Sequence, residues 1–329
     1  MIKLMAAALS VGLAIETGPQ ASHNLGVAQE VDVPPAQPTG ATQLDDIVVD
    51  GRPLREATTN FIDRIMATPR ARGAAVWHDR VCLGVGNLQR PVAEALIDRI
   101  SDVAVSVGLA LERPGCEPRV FIVFAEDADA AARNLVETRG RHFRIGLSGA
   151  DRGEAAVETF LASDRPVRWW QASAPVNAET GVVAGRYPGR TAFSAPLGGI
   201  TSPTDLGSYG ANTFGSRLRS PLRDDLSQVI IIVDIDQVEG VDFGQLADYL
   251  AVVSLAQIDP DVDPGPYDSI LSLFVHPEIA PPGLTDWDRA FLEGLYGAEQ
   301  TADNPQSRLS AVADNMARKV REQQAAPAD

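Results

Sequence analysis

The sequence predicts an α/β (α+β) fold with a mixed, mainly parallel sheet and flanking helices, and three stretches carry that expectation. Val81-Cys82-Leu83-Gly84-Val85 and Val120-Phe121-Ile122-Val123-Phe124 are short apolar runs, separated by an amphipathic helical pattern from Pro91 to Leu111. A strand, helix, strand order needs a crossover connection and therefore parallel strands. The third stretch, Val229-Ile230-Ile231-Ile232-Val233, shows no polar alternation, as suits a strand buried on both faces. A nearly all-apolar helix from Leu246 to Ile258 follows it.

With 329 residues and 45% hydrophobic content, the chain has enough apolar side chains for one main domain with loose ends. Its formal charge is −16, and its only lysines are Lys3 and Lys319. That balance argues against nucleic acid as a partner, because such binding neutralises phosphates with clustered basic residues. The arginines are interspersed with carboxylates, which predicts a solvated mixed surface.

Lys3 followed by the apolar run Leu4 to Ile15 is too short to span a bilayer but suits a signal-peptide core, with a small-residue cleavage pattern at Gly26-Val27-Ala28. Residues 1–28 are therefore read as a signal peptide, and the protein as exported to the periplasm or the extracellular space, with no transmembrane span in the mature chain. Residues 29–60, with Pro34-Pro35-Ala36-Gln37-Pro38, read as a Pro-rich and acidic linker. Cys82 and Cys116 fit an oxidising compartment, where a disulfide between them would stabilise by roughly 3 to 4 kcal/mol. Two buried thiols are the alternative.

The folded region is placed at 61–297. It opens with a short helix from Thr59 to Ala67, and the Pro91 to Leu111 helix offers Ala95, Ile97, Ile100, Val103 and Val107 to the core. Helices at about Asp127 to Thr138 and Gly153 to Ala162 lead to a strand, Pro166 to Ser173. Trp169 and Trp170 are adjacent on it and so point to opposite faces, one inward and the other toward solvent, a loop or a ligand; together they are a candidate binding surface. Residues 181–215, rich in Gly, Ser, Pro and Thr, form a long loop. In the 298–329 tail, Ser307 to Gln323 reads as an amphipathic helix with Leu309, Val312, Met316 and Val320 on one stripe.

The strongest resemblance lies between Gln228 and Gly297. Asp268-Ser269-Ile270-Leu271 resembles the Ser-Ile-Met of the methionine turn of metzincin-type zinc peptidases, with Leu271 in place of Met. Leu284-Thr285, Asp288, Leu292 and Leu295-Tyr296-Gly297 resemble the last helix of those enzymes, and Thr285 with Asp288 has the spacing of a capping box. A zincin places two His at i and i+4 on one helical face, a Glu base beside the first and a third ligand after a glycine turn. Setting Ala256-Gln257-Ile258 on the family's Leu-Gly-Leu-like step puts the ligand positions at Leu250, Ser254 and Pro260, the base at Ala251 and the glycine at Gln257. Gly244 to Pro260 contains no His, Cys or Glu, so the resemblance implies a scaffold without metal and without a cofactor. The whole chain also resembles a family of exported bacterial proteins, a likeness that implies no activity.

Three further patterns give alternatives. Asp234 and Asp236 at the end of an apolar strand resemble the first motif of the haloacid-dehalogenase phosphatases, which implies a metal-dependent hydrolase. The run Asp259-Pro260-Asp261-Val262-Asp263-Pro264-Gly265 is similar to a calcium loop but has Pro264 and Ile270 where an EF-hand needs Gly and Glu. The segment around 46–51, within Asp45 to Gly51, looks like the short N-terminal segment of TonB-dependent receptors, which implies an adaptor engaging a cell-envelope partner. The leading expectation is an exported, noncatalytic, metzincin-like pseudo-peptidase that binds a ligand or partner.

Overall fold

The computed structural model describes residues 51–67, 72–143, 153–186, 209–210, 219–302 and 304–325. The signal-peptide and cleavage expectations, the linker up to residue 50, the 46–50 part of the adaptor segment and most of the 181–215 loop lie outside those residues. The chain divides into Met1–Val48 and Val49–Asp329, and every described residue belongs to the second unit.

The fold is a mixed α/β sandwich around a four-stranded sheet of order β1-β2-β6-β3. Strand β1 (Leu83–Gly86), helix α2 (Arg90–Ser106) and strand β2 (Val120–Ala125) form the expected unit, with β1 parallel to β2. Strand β6 (Leu222–Asp234) lies parallel to β2, and β3 (Val167–Asn177) runs antiparallel to β6 at the other end of the sheet. Gly185–Arg186 (β4) and Tyr209–Gly210 (β5) make a separate two-stranded ladder.

The uninterrupted apolar run of β6 is explained by a core on each face. Val229, Ile231 and Val233 point into the larger core with Val120, Ile122, Phe124, Val167 and Trp169, under α2, α6 (Phe243–Leu255) and α7 (Asp286–Tyr296). Ile230 and Ile232 point into the smaller core with Trp170, Phe143 and Phe160, under α3 (Ala128–Thr138), α4 (Gly140–Phe143) and α5 (Glu154–Leu161). Alternation of side chains along a strand thus partitions one apolar sequence between two layers.

The Cys82–Cys116 disulfide is present, with a Cα separation of 6.2 Å. It links the residue before β1 to the approach to β2, where Cys82 O also accepts from Arg119 N and Val120 N. Among the described residues no helix is long and apolar enough to cross a membrane.

Several boundaries differ from the sequence expectation for identifiable reasons. Helix α1 (Gly51–Ile65) begins eight residues before Thr59, so 51–60 is helix rather than linker. Its stripe of Leu54, Thr58, Phe61, Ile62 and Ile65 packs on the body of the domain, which sequence composition alone does not reveal. Helix α2 buries Leu96, Ile100, Val103 and Ala104, while Ala95 is exposed, so its inward face is rotated from the expected one. Helix α6 starts three residues before Leu246 because Asp242 caps it, accepting from Gly244 N and Gln245 N at 2.8 and 3.1 Å. It stops at Ala256, which is extended.

Helix α8 (Pro305–Ala325) is an integral part of the domain rather than a tail. Its Val312, Ala313, Met316 and Val320 are buried against α7 and α1. Contact with α7 is close at Gly294, where a Cβ would lie 2.8 Å from Met316 N.

The expectation of a solvated arginine set fails at three positions. Arg72 and Arg308 are buried on either side of Asp224, itself 3% exposed, with Nε and Nη1 at 2.6 and 3.1 Å from its carboxylate oxygens. Gly73 N donates to the same carboxylate at 3.0 Å. Arg168 is buried under α5 and pairs with Asp129. Each guanidinium is drawn inside by a carboxylate distant in sequence, a pairing that local composition cannot show.

Candidate functional site

The region that would hold zinc in a metzincin is built from the C-terminal half of α6 and the chain after it. Leu250, Ala251 and Ser254 are each 0% exposed, on a helix that packs against α2 and α7. Neither Leu250 nor Ala251 has a side chain able to bind a metal ion or act as a base, and the Ser254 hydroxyl reaches no hydrogen-bond partner among the described residues. Pro260 stands apart from them, at the margin of a cleft.

The end of α6 leaves carbonyls without intrahelical donors; Gln171, Trp77 and the partly buried Tyr296 satisfy those from Val253 to Ala256, and Trp169 serves Ile258 just beyond the helix. Gln171 Nε2 donates to Val253 O at 2.7 Å and Ala256 O at 2.6 Å. Trp77 Nε1 donates to Ser254 O at 2.9 Å, Tyr296 OH to Leu255 O at 2.6 Å, and Trp169 Nε1 to Ile258 O at 3.0 Å. Burial pushes the Tyr296 hydroxyl well above the usual phenol range, which keeps it a neutral donor. The side chains that converge here therefore cap a helix, and none of them is a metal ligand.

The turn at Ser269 and the helix α7 are tied together by one carboxylate. Asp288 accepts from Ser269 Oγ at 2.6 Å, Ile270 N at 2.8 Å, Thr285 Oγ at 2.9 Å and Thr285 N at 3.1 Å. Thr285 Oγ1 accepts in turn from Asp288 N, completing the expected capping box. Complete burial pushes the Asp288 carboxyl up to about 6, against the pull of those donors.

The other sequence candidates are dispersed. Asp234 spends its oxygens on a turn, accepting from Asp236 N and Gln237 N through Oδ1 and from Gln237 Nε2 through Oδ2, each at 3.1 Å, while Asp236 is exposed. In the Asp259 to Gly265 run, Asp259 accepts from Asp261 N at 2.8 Å and Asp263 from Gly265 N at 2.7 Å, so both carboxylates serve as local turn acceptors. Gly265 has φ +66°, a conformation that suits glycine. No group of three or more His, Cys, Asp or Glu side chains among the described residues could hold a metal ion together.

Trp169 and Trp170 point to opposite faces as expected, but neither ring is exposed. Trp169 packs edge-on to Tyr249 in the larger core, and Trp170 lies against Phe143 and Phe160 in the smaller one. The second indole is covered because α4 and α5 close over that face of the sheet.

A cleft of about 520 Å³ remains beside β3, between the end of α5 and the turn at Asp259 to Asp261. Phe160 and Ala162 give it apolar surface beside the β3 chain at Trp169 and Trp170, whose rings are turned into the two cores; Arg165 and Arg168 bring positive charge, and Asp164, Asp259 and Asp261 bring negative charge. Arg165 and Arg168 were not singled out by the sequence, and no local signal marks them; their three-residue spacing acquires meaning only with the cleft. Comparison of the chain with protein-family models, curated proteins and solved structures finds no match.

Proposed function

We propose that this is an exported, noncatalytic protein on a metzincin-like scaffold, working as a binding or envelope-associated module through the cleft beside β3. The observation that carries this reading is the end of α6. Leu250, Ala251 and Ser254, at the positions of the first two ligands and the base, are sealed in the core, and the carbonyls that follow are capped by Gln171, Trp77, Tyr296 and Trp169. A hydrolytic metal centre needs donor side chains and an open coordination position, and this helix supplies neither. The bond from Asp288 to Ser269 and Ile270 supports the scaffold assignment, since it joins the two stretches on which the resemblance rests. Export is supported by the disulfide together with the apolar run after Lys3.

Metal content tests the reading. Purified protein, as isolated and after incubation with zinc and gel filtration, is expected to carry well under one equivalent by elemental analysis and to leave a fluorogenic peptide library uncleaved. Stoichiometric zinc or turnover of the library refutes the noncatalytic assignment. Fractionation of cells expressing the full chain, with thiol labelling of each fraction, tests export: recovery of reduced protein in the cytoplasm contradicts it.

A further inference from the structure

The side chain of Arg168 is 4% exposed, and its guanidinium is only partly used by the fold. Nη2 lies 2.7 Å from Asp129 Oδ1 and Nη1 donates to Leu161 O at 3.5 Å, whereas Nε has no hydrogen-bond partner among the described residues. A buried N–H without an acceptor costs about 1–3 kcal/mol, so the position is unfavourable unless an acceptor arrives. Arg168 lines the cleft beside β3, and so does Arg165.

Arg165 is held loosely, with Nη1 donating to Val262 O at 3.4 Å and Nη2 lying 3.7 Å from the exposed Asp261. Two guanidinium groups with unused donors, with the Ser163 hydroxyl also on the cleft wall, match an oxyanion, which is acceptor-only. The carboxylates in the same cleft restrict which one. Asp164, Asp259 and Asp261 raise the cost of a second negative charge, which disfavours a phosphate dianion and leaves a singly charged carboxylate. The apolar part of the wall, with Ala156, Phe160 and Ala162, suits a compact aromatic or aliphatic body.

We infer that the cleft between α5, β3 and the Asp259 to Asp261 turn binds a small monocarboxylate with an apolar body, its carboxylate accepting from Arg168 Nε and from Arg165. This rests on the reading of the chain as a binding module. Zinc content judges that reading, and ligand titration judges the cleft.

The test uses the full mature chain and benzoate as probe, followed by titration calorimetry and by tryptophan fluorescence, since Trp169 and Trp170 border the site. Benzoate is expected to bind saturably and to perturb the fluorescence, and Arg165→Gln to weaken it about tenfold or more with an unchanged circular dichroism spectrum. Ala162→Glu, which adds a negative charge at an exposed position of the cleft, is expected to abolish binding and serves if Arg165→Gln does not fold. Inorganic phosphate is the competing anion and is expected not to displace benzoate. Absence of saturable binding, equal affinity in the folded variants, or preferential binding of phosphate overturns the proposal.

Discussion

Replacing Asp224 with alanine is expected to be among the most damaging single substitutions in the domain, although no functional role attaches to that residue. Its carboxylate receives Arg72 Nε at 2.6 Å, Gly73 N at 3.0 Å and Arg308 Nη1 at 3.1 Å, so it joins the approach to β1, strand β6 and helix α8. In Asp224→Ala both guanidinium groups stay buried. Arg72 keeps Ser173 and Arg308 keeps Ala302 O and Leu222 O, but both lose the carboxylate that they share. Removing one partner of a buried ion pair costs about 3–5 kcal/mol, a large fraction of the 5–15 kcal/mol typical of a folded domain. With a urea dependence near the upper end of the usual 1–3 kcal/mol/M, the midpoint falls by more than about 1 M. Urea unfolding monitored by fluorescence and circular dichroism measures this in wild type, Asp224→Ala, Arg308→Met and the double variant. The double variant is expected to lose less than the two single losses together, because the Asp224–Arg308 bond is counted in each single loss. A loss below about 1 kcal/mol for Asp224→Ala, or strict additivity in the cycle, refutes the argument.

Reduction of the disulfide, or Cys82→Ala with Cys116→Ala, is expected to lower stability by about 4 kcal/mol in the chain-entropy treatment, given a sequence separation of 34; denaturant curves with and without reductant check it. Asp288 makes stability depend on pH. Its folded value of about 6 lies above the ordinary 3.8, so its contribution is complete below the ordinary value and is lost as pH rises through about 6, amounting to about 3 kcal/mol. Asp225 has the opposite sign: bonds from His78 and Arg223 outweigh its burial and hold it below 3.8, so its contribution is lost only in more acidic solution. Unfolding free energies between pH 4.5 and 6.5, about the Asp288 window, are expected to fall with pH in wild type and to flatten in Asp288→Asn. Gly294→Ala is expected to cost about 1–3 kcal/mol despite the better helix propensity of alanine, because the new methyl meets backbone atoms of Met316; a thermal melt with no decrease contradicts it.

The sheet was legible because its signals are local. Val229 to Val233 is short, β-branched and without polar alternation, the pattern of a doubly buried strand, and the Val81 to Phe124 span has the length and pattern of a crossover unit. The capping box at Thr285 and Asp288 was legible for the same reason, since both partners lie within one turn. What escaped depends on partners far apart in the chain. Nothing near Arg72 announces Asp224 or Arg308, and Gln171 looks like a surface residue until α6 presents its terminal carbonyls. The Trp169 and Trp170 alternation was readable, but the covering of the outer ring depends on Phe143 and Phe160. The cleft is the extreme case: its cationic residues are ordinary in sequence and become a pair only through the shape around them.

The mutual burial of the first and last helices of the described fold has a consequence for the order in which the molecule is made. Helix α1 packs against α8, to the point that Thr58 Oγ1 donates to Ala313 O at 3.1 Å, while Phe61 turns to Trp287 and Phe291 of α7. During synthesis α1 leaves the ribosome long before α8 exists, and the whole sheet must be translated in between. An apolar helical face then waits uncovered for its partners, so closure of the larger core is a late, long-range event that needs α7 and α8.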